Sequence, residues 1–246
     1  MSQPISKIVP HPRVYLATDV LTDKPDFAIL VSQIFATWAA IEQKLSFLLV
    51  HVLGASAGPA LAMYSTLTAQ HLQLGALEAA AKAAMSADDF SVFKAALSVA
   101  DAVQGPRNHL AHWAWGGCGQ RRDLLVLVDP KILRDRDFKI AALIEGVELE
   151  TKSYADSEPS QMLAYSKADL ERALRDLEEC EMIIDDLTTY INPSIAVMIT
   201  ADLPDQLTRD QIRAVTLEQL ACRRLFREAL VRTRAVRKNS RPKTGG

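Results

Sequence analysis

Residues 105–116 read Gly-Pro-Arg-Asn-His-Leu-Ala-His-Trp-Ala-Trp-Gly, and they gather the side chains best suited to chemistry. Arg107 and His112 stand five residues apart. On a helix, five residues rise ~7.5 Å and turn through roughly 140°. One helix therefore does not bring the two side chains together. Either the long arginine reaches around, or a second copy of the helix completes the site. Asn108 and His112 are four apart and share a helix face, so Asn108 is placed to hydrogen-bond the imidazole and fix its tautomer. Histidine is the usual acid or base near neutral pH. Arginine is permanently charged and grips phosphate oxygens in a fork. An arginine and a histidine without metal ligands suit cleavage of an RNA phosphodiester by its own 2′-hydroxyl. The base removes the hydroxyl proton, the attack is intramolecular, and Arg107 offsets charge on the pentacoordinate phosphorus. The plainer alternative is a structural pair that caps a helix end or pins a dimer interface.

The neighbours of this set carry weaker signals. His109 and His112 are i, i+3, but no third ligand lies near them in sequence, so neither a metal nor another cofactor is expected. His109 fits a surface or interface position better. Trp113 and Trp115 are able to stack bases, although aromatics at a helix end more often serve the core. Glu42 and Asp101 either face the motif or are simply solvated. Cys118 has no activating base beside it and is assigned no role.

The motif needs elements to hold it. Residues 1–24 carry Pro4, Pro10 and Pro12 and are expected to form an irregular arm. From Asp26, the residues Phe27, Leu30, Ile34, Trp38, Ile41, Leu45, Leu48 and Val52 make one apolar stripe at helical spacing, which Gly54 ends. Residues 59–85 are Ala-rich and helical, with a break expected near Thr68 or Gly75. Ser86 caps a third helix, with Asp88 and Asp89 in its first turn. Gly105-Pro106 kinks or restarts that helix, which is expected to continue through Trp115 to Gly116-Gly117 and whose bend affects where Arg107 points. The apolar run 124–128, closed by Asp129-Pro130, predicts a buried strand. A second extended piece within 136–154 would make a small β-hairpin inserted near 122–155. Ser166 caps the next helix, which ends near Tyr190 before Asn192-Pro193. Thr208 starts a last helix running to about Val236, followed by a disordered basic end. The expected organisation is an arm over 1–24, a bundle over 25–192 and a C-terminal helical appendage over 193–246.

Arg107-Asn108-x-x-x-His112, late on a helix of an α-bundle and closed by Gly116, resembles the signature of the HEPN superfamily. Trp38-x-x-Ile41-Glu42 on the first long helix is similar to these bundles as well. The resemblance spans about residues 26–190, and its specific part is the hexapeptide. It implies a mostly α, HEPN-like helical bundle. It also implies a homodimer in which two motif helices form a composite cleft. The implied activity is that of a metal-independent endoribonuclease leaving a 2′,3′-cyclic phosphate and a 5′-hydroxyl. Arg107 would hold the scissile phosphate, His112 would act as acid or base, and Asn108 would orient His112. RNA is then the substrate, with a role in defence or as a toxin and a neutralising protein as a further partner. The alternative is a non-catalytic HEPN-like module whose motif stabilises a dimer or binds a nucleotide.

Composition agrees with a helical chain. Ala occurs 35 times and Leu 31 times against only 10 Gly among 246 residues, a balance that favours helix. Three dispersed cysteines exclude a disulfide scaffold and a cysteine zinc site, and suit a reducing compartment. The N-terminus lacks a secretory h-region, and the apolar stretch around 27–53 is broken by charges, so a cytoplasmic protein without a membrane span is expected. The net charge of −2 hides an asymmetry: residues 209–246 carry +8 and the remainder −10. A basic tail could neutralise RNA phosphates. It could equally pair with the acidic groups at Glu178-Glu179, Glu181 and Asp185-Asp186. P-loop, nucleophile-elbow, zincin and dinucleotide fingerprints are absent, which weakens those enzyme classes.

Overall fold

The computed structural model describes residues 2–144, 161–195 and 207–239. The chain is mostly helical with a small antiparallel sheet. It divides into two compact units: residues 1–36 with 105–175, and residues 37–104 with 176–246.

The first unit holds the sheet. Its strands are β1 (Gln3–Pro4), β2 (Val14–Leu16), β3 (Ala114–Cys118), β4 (Arg121–Val128) and β5 (Met162–Tyr165), ordered β1-β5-β4-β3-β2 and antiparallel throughout. β4 is central, and its residues 124–128 are all buried, as an apolar run without alternation requires of a strand covered on both faces. Leu124, Val126 and Val128 pack with Ile5, Val9, Cys118 and Ala164 on one side of the sheet. Lys24 Nζ donates to the Leu124 carbonyl at 2.6 Å and ties the segment after β2 to this strand.

Three expectations are corrected here. The arm over 1–24 is not wholly irregular, because it supplies both edge strands. The helix through Trp115 ends earlier, and residues 114–118 are strand. Gly116 and Gly117 did not mark a helix stop; they allow close approach of β2, since a Cβ on Gly116 would overlap the Tyr15 carbonyl oxygen. The inserted hairpin is also different. β4 pairs with β3 before it and β5 after it, and residues 136–144 lie in helix α6 (Pro130–Ile144). The rest of the proposed second piece falls outside the described residues. Asp129-Pro130 closes β4 as expected and also starts the next element: Asp129 Oδ1 accepts from the Lys131 amide at 2.9 Å and Pro130 opens the helix. A capping carboxylate followed by proline starts helices as readily as it closes strands.

Helix α1 (Pro25–Leu53) carries the foreseen stripe, with Ile34, Trp38, Ile41 and Leu48 almost fully buried. It ends at Gly54, whose φ of +56° is the left-handed stop that glycine adopts without cost. Its first turns and those of α7 (Lys167–Ile191) belong to the first unit, and their remainders to the second.

The second unit adds α2 (Ala57–Ser65), α3 (Gln70–Ala84) and α4 (Ala87–Val103). The break in the Ala-rich region falls at residues 66–69. Ser86 accepts from the Asp89 amide, as a cap should. The last helix is two helices, α8 (Arg209–Cys222) and α9 (Arg224–Asn239), with α9 packed along α4. Thr208 and Gln211 form a reciprocal capping box on α8. Arg223 is extended between the two helices, and the amide of Leu225 donates to Glu179 Oε1 at 2.7 Å. A carboxylate of α7 thus supplies the cap that a continuous helix would not need.

Candidate functional site

The motif occupies a helix of its own, α5 (Gly105–His112). Pro106 stands in its first turn, where a missing N–H leaves no bond unmade. At the other end, the Trp115 indole Nε1 donates to the Leu110 carbonyl oxygen at 2.8 Å. A side chain from β3 therefore satisfies one of the carbonyls that every helix end leaves open. The backbone turns from helix to strand across Trp113 alone.

The three motif side chains are distributed unequally. Arg107 is half-buried, and its Nη1 donates to Asn108 Oδ1 at 3.1 Å. Asn108 thus orients the guanidinium. His112 is the last residue of α5 and is exposed. α5 brings Arg107 and Asn108 together and leaves His112 further along the axis, by ~7.5 Å for five residues.

His109 proves to be the most engaged of the group. Its Nδ1 lies 2.8 Å from the Tyr165 hydroxyl, and its ring centroid is 4.4 Å from the Trp113 ring. Burial holds the imidazole below its ordinary pKa, against an opposing pull from Asp129. Burial likewise raises the pKa of Tyr165, which is 1% exposed. With both groups neutral, the imidazole tautomer decides which of the two donates. The surface or interface role expected for His109 gives way to a link between α5 and β5. The sequence offered no signal for it, since the partners are 56 residues apart.

The remaining candidates take ordinary roles. Asp101 is exposed and accepts from Gln104 Nε2 at 2.8 Å. Glu42 acts on Tyr64, whose hydroxyl is pushed up to about 12 by burial first and by this charge second. Cys118 is buried in the sheet core. Arg223 and Arg224, candidates for phosphate binding, pair instead with acidic residues of α7: Arg223 with Asp186 at 2.6 Å, Arg224 with Asp176 at 2.6 Å. The expected pairing with acidic groups holds for these two arginines: Glu179 and Asp186 were among the carboxylates named for it, and Asp176 joins them. Among the described residues, no three His, Cys, Asp or Glu side chains are grouped to hold a metal ion, and no helix is long and apolar enough to cross a membrane.

Beside the end of α5 opens a cavity of about 880 Å³, lined by Leu16, Ala17, Thr18, Asp19, Trp113, Ala114 and Trp115. A more apolar groove of about 570 Å³ lies between α4 and α9 in the second unit.

Comparison with known proteins returns no matching family model, no matching curated protein and no matching solved structure. The fold defines a mostly helical chain with a small antiparallel sheet. Its function is argued from the site alone.

Proposed function

We propose that the chain is a metal-independent endoribonuclease of the HEPN kind, acting as a homodimer. The observation that carries this reading is the exposed imidazole of His112 at the end of a short helix on which Asn108 orients the Arg107 guanidinium. In the reaction, the imidazole removes the 2′-hydroxyl proton and the 2′-oxygen attacks the adjacent phosphorus. The bond to the 5′-oxygen breaks, and that oxygen is protonated as it leaves. The products are a 2′,3′-cyclic phosphate and a 5′-hydroxyl. Arg107 neutralises the charge that builds on the phosphoryl oxygens. Two copies of α5 supply two His112 imidazoles, one as the base and the other as the acid that protonates the leaving 5′-oxygen, and the second copy also completes a site that one helix spreads around its axis.

A second reading is a non-catalytic HEPN-like module in which the motif holds a dimer. The half-burial of Arg107, with its guanidinium bonded inside α5, favours it. Labelled RNA incubated with purified protein, with and without EDTA, separates the two. The nuclease reading expects wild-type cleavage in EDTA and a loss of at least a hundredfold in Arg107→Ala and His112→Ala. Intact RNA with wild type, or equal cutting by both variants, refutes it and leaves the module.

A further inference from the structure

We infer that the cavity at the end of α5 is a nucleobase pocket selective for guanine. This rests on the ribonuclease reading for its biological substrate, but its chemistry stands on the cavity.

The cavity follows the motif directly. His112 is succeeded by Trp113, and Trp113, Ala114 and Trp115 form one wall. Adjacent Cα atoms are ~3.8 Å apart, so the cavity lining begins one residue after the exposed His112. The volume of about 880 Å³ takes a purine ribonucleotide and lies within the usual range for small-ligand sites.

Both tryptophans are held in place. The Trp115 indole is fixed by its bond to the Leu110 carbonyl, and the Trp113 ring rests against His109. Neither is wholly buried. Flat, partly exposed rings that their neighbours hold in place stack on a base with little ordering cost. The adjoining part of the lining is built as well. The Ala17 amide donates to the Trp115 carbonyl at 3.1 Å, and the Thr22 amide donates to the Asp19 carbonyl at 2.8 Å. This turn places Asp19, an exposed acidic residue, in the cavity lining.

A carboxylate accepts hydrogen bonds and donates none. Guanine is the RNA base with two donors side by side, N1–H and the N2 amino group, and both fit the two oxygens of one carboxylate. Adenine and cytosine offer one amino group next to an acceptor nitrogen. Uracil offers one N–H between two carbonyls, which a carboxylate repels. The pocket therefore combines stacking that any base satisfies with a polar contact that guanine satisfies best.

The test is a titration of the full chain with 5′-GMP, 5′-AMP, 5′-CMP and 5′-UMP, read by tryptophan fluorescence. Two of the three tryptophans line the cavity, so quenching is expected to be large. GMP is expected to bind about tenfold or more tighter than the other three. In Asp19→Asn, an exposed position that leaves packing intact, GMP is expected to weaken to the level of AMP. Trp113→Ala is expected to weaken all four. Absence of quenching with any nucleotide at millimolar concentration overturns the inference, as does equal affinity for all four in wild type and Asp19→Asn. The titration needs no cleavage. GMP selectivity with intact RNA sinks the nuclease and keeps the pocket. Cleavage without GMP selectivity, and without preference for guanosine at the cut, keeps the nuclease and sinks the pocket.

Discussion

Alanine at Gly116 and alanine at Gly117 make the same chemical change at neighbouring positions of β3, and the structure assigns them different costs. In the β2–β3 register, Leu16 faces Gly116 and Tyr15 faces Gly117. A Cβ on Gly116 would overlap the Tyr15 carbonyl oxygen, with the Tyr15 carbonyl carbon at 3.1 Å and the Leu16 Cα at 3.3 Å. All three are backbone atoms, so no rotamer relieves the clash and β2 must move. Overpacking costs ~1–3 kcal/mol. If β2 lifts, the flanking bonds from the Ala17 amide to Trp115 and from the Gly119 amide to Arg13 are strained or lost, each contributing ~0.5–1.5 kcal/mol. The expected cost of Gly116→Ala is therefore about 2–3 kcal/mol. At Gly117 the obstacle is the Tyr15 phenol, with Oη at 2.5 Å and Cζ at 2.6 Å. That side chain is 50% exposed and is free to rotate outward, so Gly117→Ala should cost under about 1 kcal/mol. Urea unfolding of both variants measures the difference. Hydrogen exchange should show faster exchange at the Ala17 amide in Gly116→Ala only. Because β2 leads into the cavity wall, Gly116→Ala should also lose GMP binding while Gly117→Ala keeps it. Equal midpoints, or a larger loss at Gly117, refute the close-approach argument.

Asp89 in the second unit accepts from Tyr190 Oη at 2.6 Å, Arg213 Nη2 at 2.5 Å and Ser86 Oγ at 2.8 Å, so Asp89→Ala should cost about 2–3 kcal/mol in urea unfolding. Burial pushes its carboxyl up, but Tyr190, Ser86 and Arg213 outweigh that and hold it below 3.8; its stabilisation is complete above 3.8 and is lost as pH falls through the lower folded value, a loss that Asp89→Ala should remove from the acid-unfolding curve. His109 has the same sign in a higher pH window: burial lowers its folded pKa below 6.5, so the unfolded chain binds more protons there and stability should rise with pH up to about 6.5, with an imidazole midpoint below 6.5 by NMR. Thr208→Ala removes the capping box of α8 and should cost about 1 kcal/mol in the same urea assay.

The long helices were legible because each carries its own instruction. The α1 stripe, the Ser86 cap and the Thr208 capping box are local patterns whose physics needs no distant partner. The strands were harder. β1 has two residues and β2 three, too few to show alternation, and each is a strand only because a partner lies beside it. β3 reads Ala-Trp-Gly-Gly-Cys, and its glycines, there to admit β2, resemble a helix stop. At the site, the spacing placed Arg107, Asn108 and His112 on one helix beginning after a break, and α5 is that helix. The Tyr165 partner of His109 and the place of Asp19 in the cavity lining are tertiary juxtapositions, and no local signal announces them.

The sheet order has a consequence for how this chain survives damage. Both outer strands, β1 and β2, come from the first sixteen residues, and they sit on opposite flanks of the central β4. A single proteolytic cut after Leu16 would release both guards at once, baring the backbone donors and acceptors of β3 on one side and of β5 on the other. Unpaired strand edges recruit other strands. The clipped protein should then lose solubility by self-association through two faces, a geometry that propagates into chains of molecules rather than closing as a pair.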